Sequence, residues 1–197
     1  MALILASSSR ARSEMLKAAG IEFESQSPYV DEEPIKEALL AEGAPARHIA
    51  DALAELKALA VSSNTENAFV IGSDQILSCE GKCFSKVDNL VAAKKQLQEL
   101  SGKKHSLISA VVIAKDGQIL WRAVDKAHLT MRHLSDDFID DYLIRCGDDI
   151  LSSVGCYHLE GRGAQLFDRV EGDYFTILGM PLLRVLHFCR TQGLILS

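Results

Sequence analysis

The N-terminal segment changes pattern abruptly. A short apolar run, Leu3 to Ala6, gives way to three serines, Ser7, Ser8 and Ser9, and then to a helical pattern carrying Arg10 and Arg12. An apolar run too short for a helix, followed by a hydroxyl-rich break and an amphipathic segment, reads as strand, turn and helix N-terminus. Hydroxyls, free backbone N–H groups and guanidinium groups converge at such a junction, which makes it an anion cradle. This start implies a sheet covered by helices and a phosphate-bearing ligand. Residues further along must decide whether phosphates are only held or also cut.

Strand and helix patterns alternate from there. Residues 9–19 read as a helix ending at Gly20 and residues 21–27 as a second strand. Residues 34–41 and 45–62 read as helices parted by Gly43-Ala44, the second with an apolar stripe of Ile49, Leu53, Leu56 and Ala60. Residues 68–79 form a strand entering a turn at Glu80-Gly81, and residues 89–100 a helix stopped by Gly102. Asp116-Gly117 is the strongest hairpin signal, joining strands at 106–114 and 118–129. A helix at 135–144 starts on the N-cap Ser135, residues 147–179 read as irregular with short strands, and 181–190 as a closing helix. The expected architecture is α/β, a mixed, bent central sheet with helices on both faces and a cleft between two lobes.

Hydrophobic residues make up 48% of the 197 and charged residues 24%, enough for a sizeable core. No repeat or linker divides the chain, so residues 1–197 are expected to form one domain. No apolar run approaches the roughly 18–20 residues of a membrane span, and the opening stretch lacks the basic flank of a signal peptide. A net charge of −6 without a basic stripe argues against nucleic acid as a partner. A polyanionic ligand would then need a few placed cations and a metal. The five cysteines are odd in number and contain no CxxC, which points to free thiols and the cytoplasm. Cys79 and Cys83 are spaced as two metal ligands, but no second pair completes a zinc site.

Two acidic features stand out. Asp31-Glu32-Glu33 follows a strand and precedes Pro34, which also suits a solvated turn. Asp74 lies between Phe69-Val70-Ile71 and Ile76-Leu77. A carboxylate inside such a run is costly unless paired or metal-bound. Lys57, on the helix before that strand, and Lys86, after the Glu80-Gly81 turn, are placed to offset these acids, although a single lysine more often snorkels to the surface. Two carboxylates with cations make the minimal set for phosphate chemistry with Mg²⁺. GxxxxGK[ST], GxGxxG and GxSxG are absent, which argues against P-loop and Ser-nucleophile enzymes.

In this order the motifs resemble those of the Maf-family nucleoside triphosphate pyrophosphatases. Leu5-Ala6-Ser7-Ser8-Ser9-Arg10-Ala11-Arg12 resembles the family's LASxSPRR opening, Val30-Asp31-Glu32 its acidic motif and Gly72-Ser73-Asp74-Gln75 its carboxylate strand. Ser85-Lys86-Val87 stands where the family usually has Gly-Lys-Pro, and Ser101-Gly102-Lys103-Lys104-His105 matches SGxxH. The segment from Gly155 to Gly161, with Gly172-Asp173-Tyr174 and Gly179-Met180-Pro181-Leu182, resembles the C-terminal pattern. Two departures fall in the opening: Arg10 replaces the proline and Ala11 the first arginine, leaving Arg10 as the neighbouring charge.

The resemblance implies an inosine-triphosphatase-like fold of the Maf type and a cytoplasmic, metal-dependent hydrolase using Mg²⁺ or another divalent cation such as Mn²⁺. Such enzymes cut nucleoside triphosphates to monophosphate and pyrophosphate, often occur as homodimers, and are linked to arrest of septum formation in cell division. It further implies Asp74 as the water-activating base, Glu32 and Asp74 around the metal, Lys57 and Lys86 on phosphate oxygens, and Ser7, Ser9 and Arg12 as the cradle. Positions corresponding to Ala11, Gln75 and Glu160 differ between substrate groups, and Gln75 and Glu160 resemble the 7-methyl-GTP group. A carboxylate can accept two hydrogen bonds from guanine N1–H and N2–H₂, whereas uracil or thymine presents one donor. Ala11 stands where that group has an aromatic residue to stack on the base. The alternatives are a dTTP/UTP pyrophosphatase of the same family, or a nucleotide-binding division regulator with weak catalysis. Joint retention of Glu32, Lys57, Asp74 and Lys86 favours an enzyme.

Overall fold

The computed structural model describes residues 2–196. Strand β1 (Ala2–Ala6) leads through the serines into α1 (Arg10–Ala18), whose N-cap Ser9 accepts from the Arg12 N–H. Strand β2 (Glu24–Gln26) is short and exposed. Helices α2 (Glu33–Ala41) and α3 (Ala46–Ser62) precede β3 (Ala68–Cys79). Then come β4 (Lys82–Phe84), α4 (Leu90–Leu100), β5 (Lys104–Lys115), β6 (Gln118–Met131) and α5 (Asp136–Cys146). Two 3₁₀ turns, Gly147–Ser152 and Arg162–Leu166, lead to β7 (Phe167–Glu171), α6 (Tyr174–Ile177) and α7 (Leu182–Thr191).

The strands form one mixed sheet in the order β2-β1-β3-β5-β6-β7, with β4 paired to β3. β1 runs parallel to β2 and β3, and the remaining pairs are antiparallel. Alternation along β3 and β5 assigns the faces. Ile76, Ile108, Ala110 and Val112 pack beneath α3. Phe69, Ile71, Val111 and Ile113 join residues of α1 and α7 on the other face. Further along that second face, Leu77, Leu107 and Leu129 join α4 and α5. Between these two clusters the face turns polar. Ser109 Oγ donates to the Thr176 carbonyl at 2.7 Å and Ser73 Oγ to the Ala110 carbonyl at 2.7 Å, so the one-turn α6 acts as a polar plug.

Two of the expected elements differ from the sequence reading. The second strand spans three residues rather than seven, because the chain first turns back from α1, with the Ile21 N–H on the Leu16 carbonyl. The stripe on α3 is rotated. Ile49 and Leu53 are buried as expected, but Ala50, Ala54, Lys57 and Ala58 share that face while Leu56 and Ala60 are only half-buried. Small residues do the burying because α3 lies unusually close to β3. A Cβ on Gly72 would stand 2.2 Å from the Ala54 carbonyl oxygen and 2.5 Å from Ala58 N. Cys79 packs in the α4/α5 cluster and Cys83 against the α3 cluster, so the two thiols do not face one metal.

His105, within the SGxxH segment, is a core residue. It is 1% exposed and its Nε2 pairs with the Tyr157 hydroxyl at 2.7 Å, while Nδ1 has no partner among the described residues. Burial pushes its pKa down from 6.5 to about 4. The unfolded chain therefore binds a proton between these values that the folded protein refuses, so stability falls as pH drops from 6.5 towards 4. The full effect is on the order of 3 kcal/mol. Urea unfolding of wild type and His105→Phe across this window should show a steeper acid loss in wild type, and parallel curves would contradict this. Gly72→Ala should destabilise by about 2 kcal/mol or more through overpacking, read as a lowered thermal midpoint.

Candidate functional site

A gap in the sheet creates the site. β1 pairs with β3 as far as Ala6 opposite Gly72, and β4 pairs with β3 only from Leu77 onward, where Phe84, its last residue, stands opposite. Residues 73–76 of β3 therefore have β5 on one edge and no strand on the other. The serine loop after β1 and the Ser85-Lys86 loop after β4 both open into this gap. A cleft of about 940 Å³ results. Ser7, Ser9, Ala11, Arg12, Glu32, Lys57, Asp74, Gln75, Lys86 and Glu160 all line it.

At its floor, the Lys57 Nζ donates to Asp74 Oδ1 at 2.7 Å and lies 2.8 Å from Glu32 Oε2. The close approach of α3 permitted by Gly72 brings Lys57 over the strand. Asp74 faces α3 because it shares parity with Gly72 and Ile76. Glu32 arrives as the N-cap residue of α2. The Lys57 and Asp74 side chains are 9% and 11% exposed and Glu32 is 37% exposed, so only the first pair is desolvated. One ammonium thus holds two carboxylates that would otherwise repel. The other oxygen of each carboxylate takes no hydrogen bond from the described residues.

The serine loop is organised as a donor site. Ser7 Oγ accepts from the Ser9 N–H at 3.1 Å and from Arg12 at 3.4 Å, and Ser9 Oγ accepts from the Arg12 N–H at 3.4 Å. With acceptor positions used inside the protein, both hydroxyl protons remain for an anion. Arg12 is buried, and its Nε donates to the Gly179 carbonyl at 2.9 Å. It therefore braces the C-terminal segment against the cradle as well as lining the cleft. Burial lowers its pKa, partly offset by Asp74 and Glu32. Arg10 is 88% exposed and engages Glu14 at 2.6 Å, so the extra arginine stands at the rim. Lys86 is exposed in the cleft, and its pKa is lowered by partial desolvation and then by Arg12 and Lys57.

Gln75 and Glu160 lie on the walls with different commitments. Gln75 Nε2 donates to Ser109 Oγ at 2.9 Å and to the Thr176 and Ile177 carbonyls at 3.0 Å. Its carbonyl oxygen is the polar atom left for a ligand. Glu160 is exposed. Sequence reasoning missed Lys36, which is buried, lines the cleft and donates to Ser85 Oγ. The signal was available, since Lys36 stands four residues after Glu32 on the same helix face. Asp148, Asp149 and Ser152 also line the cleft, from a 3₁₀ turn with no distinctive pattern.

Among the described residues no three His, Cys, Asp or Glu side chains cluster as a metal cage. The donor set still suits Mg²⁺, which is commonly held by one or two carboxylates together with substrate phosphates. Glu32 and Asp74 supply that pair. Removing the central cation should expose their repulsion. Lys57→Met should destabilise the protein by about 3 kcal/mol, and adding Asp74→Asn to it should recover part of the loss in chemical unfolding. Equal stability of wild type and Lys57→Met would contradict this.

Comparisons with known proteins identify the family. The family model of the Maf-like proteins matches residues 2–192. A nucleoside triphosphate pyrophosphatase of Granulibacter bethesdensis is 52% identical over 190 residues, 96% of each chain. A 7-methyl-GTP pyrophosphatase of Brucella abortus is 50% identical over 190 residues, again 96% of each. A solved nucleoside-triphosphatase, a dITP/XTP pyrophosphatase from Mycobacterium abscessus, aligns over 98% of this chain and 96% of its own with a TM-score of 0.41 and 13% identity, too remote a likeness to carry weight. With the match running along nearly the whole chain, at about half identity to its relatives, this chain belongs to the Maf-like protein family.

Proposed function

We propose that the cleft hydrolyses the α–β phosphoanhydride of a nucleoside triphosphate, giving monophosphate and pyrophosphate. The carrying observation is the buried Lys57 joined to Glu32 and Asp74 beside a loop of free hydroxyl donors. Polyphosphate charge meets Lys86 and the serine hydroxyls. Asp74, positioned by Lys57 at 2.7 Å, orients a water and accepts its proton on the oxygen that Lys57 leaves free. Glu32 and Asp74 would hold a divalent cation, Mg²⁺ or Mn²⁺, which when bound neutralises phosphate oxygens.

The base reading follows from the acceptors on the walls. Gln75 presents a carbonyl oxygen and Glu160 a carboxylate, so a base rich in donors is favoured. Guanine offers N1–H and N2–H₂, and a methylated, cationic guanine gains further from Glu160. This supports a 7-methyl-GTP-like substrate over UTP or dTTP. The half-buried Ala11 leaves room for the base without stacking on it.

Two measurements check the reading. With Mg²⁺ and a panel of canonical, methylated and deaminated triphosphates, pyrophosphate and not orthophosphate should be released, fastest from 7-methyl-GTP. Faster cleavage of UTP and dTTP would move the chain to the pyrimidine group, and tight binding without release would make it a regulator. Asp74→Asn should lower kcat by at least about 100-fold while nucleotide binding survives, since an amide cannot accept the proton. Near wild-type turnover would remove Asp74 as the base.

A further inference from the structure

We propose that Lys36, steadied by Ser85, binds the departing pyrophosphate end of the substrate. The proposal rests on the pyrophosphatase reading and adds a ligand-binding residue to it. Lys36 lies one helical turn beyond Glu32, roughly 6 Å along the same face of α2. It is 9% exposed and lines the cleft, and its ammonium donates to Ser85 Oγ at 2.5 Å. That bond uses one of three N–H groups. No carboxylate among the described residues lies within ion-pair distance of it.

A buried ammonium without a counter-charge is costly, and an anionic ligand removes the cost. The other lysine at the floor, Lys57, is already neutralised by Glu32 and Asp74. Lys36 is not, and its hydroxyl partner immediately precedes Lys86, the exposed cation of the same loop. The carboxylates Glu14, Glu33, Asp148, Asp149 and Glu160 that also line the cleft are exposed. Two unneutralised lysines therefore flank one loop, a turn away from the reaction centre. Placed on the side of the phosphates beyond the scissile link, the two lysines would hold the leaving pyrophosphate, and the comparison with GMP decides the side. Partial desolvation and neighbouring cations lower the Lys86 pKa, in keeping with a positive field waiting for an anion.

The test measures binding of inorganic pyrophosphate and of GMP by calorimetry, with Mg²⁺, to wild type, Lys36→Met and Lys36→Arg. Loss of a charge-assisted hydrogen bond should weaken pyrophosphate binding about tenfold in Lys36→Met. GMP binding should stay unchanged, and Lys36→Arg should recover most of the loss. Pyrophosphate affinity within twofold of wild type in folded Lys36→Met overturns the proposal. So does equal weakening of both ligands, which would make Lys36 a prop for the cleft, and so does wild type that binds no pyrophosphate. If Lys36→Met does not fold, Lys36→Gln carries the same comparison. Lys36-dependent pyrophosphate binding without turnover of any triphosphate would sink the pyrophosphatase reading alone. Turnover with Lys36-independent pyrophosphate binding would sink this proposal alone.

Discussion

The site depends on one ammonium held between two carboxylates. Lys57 is nearly buried, and alone it would be one of the least favourable groups in the molecule. Asp74, inside an otherwise apolar strand, has the same problem with opposite sign. Joined at 2.7 Å they neutralise each other, and Lys57 then draws in Glu32 from the start of α2. The reward is position more than stability, because buried ion pairs are rarely worth more than the apolar contacts they displace. Two acids from separate elements are fixed on one point, each with an oxygen to spare.

That geometry rests on backbone decisions made elsewhere. Gly72 lets α3 approach β3 closely enough for a lysine to reach the strand beneath it. The end of β1 pairing at Gly72 and the start of β4 pairing at Leu77 leave the Asp74 region with an open edge. The serine loop and the Ser85-Lys86 loop are then the chain ends nearest the gap. Arg12 closes the arrangement by fastening the Gly179 carbonyl to the cradle. Donors, acids and cations thus meet where the sheet has a missing partner.

Much of this was legible because it violates ordinary patterning. A carboxylate in an apolar strand, a lysine on the buried side of a helix and hydroxyls at a strand–helix junction are costly or unusual, so each carries information. Glu32 was less legible, since the adjacent Asp31 and Glu33 have the same charge and only the fold shows which one reaches Lys57. The buried face of α3 was misread because hydrophobicity ranks Leu56 above alanine, while close helix–strand packing selects Ala54 and Ala58. Strand β4 and helix α6 are too short for any periodicity to register. Lys36 was missed because a single lysine on a short helix is ordinarily a surface group, and its spacing of four from Glu32 gains meaning only with its burial against Ser85.

The central claim is that Lys57 acts through the carboxylates it holds. A double-mutant cycle on pyrophosphate release, with Lys57→Met and Asp74→Asn singly and together, tests it most directly. Residues acting as one unit lose activity non-additively. The account predicts that the double variant is no slower than Asp74→Asn alone. Losses that multiply in the double variant would show Lys57 and Asp74 working independently and would contradict it.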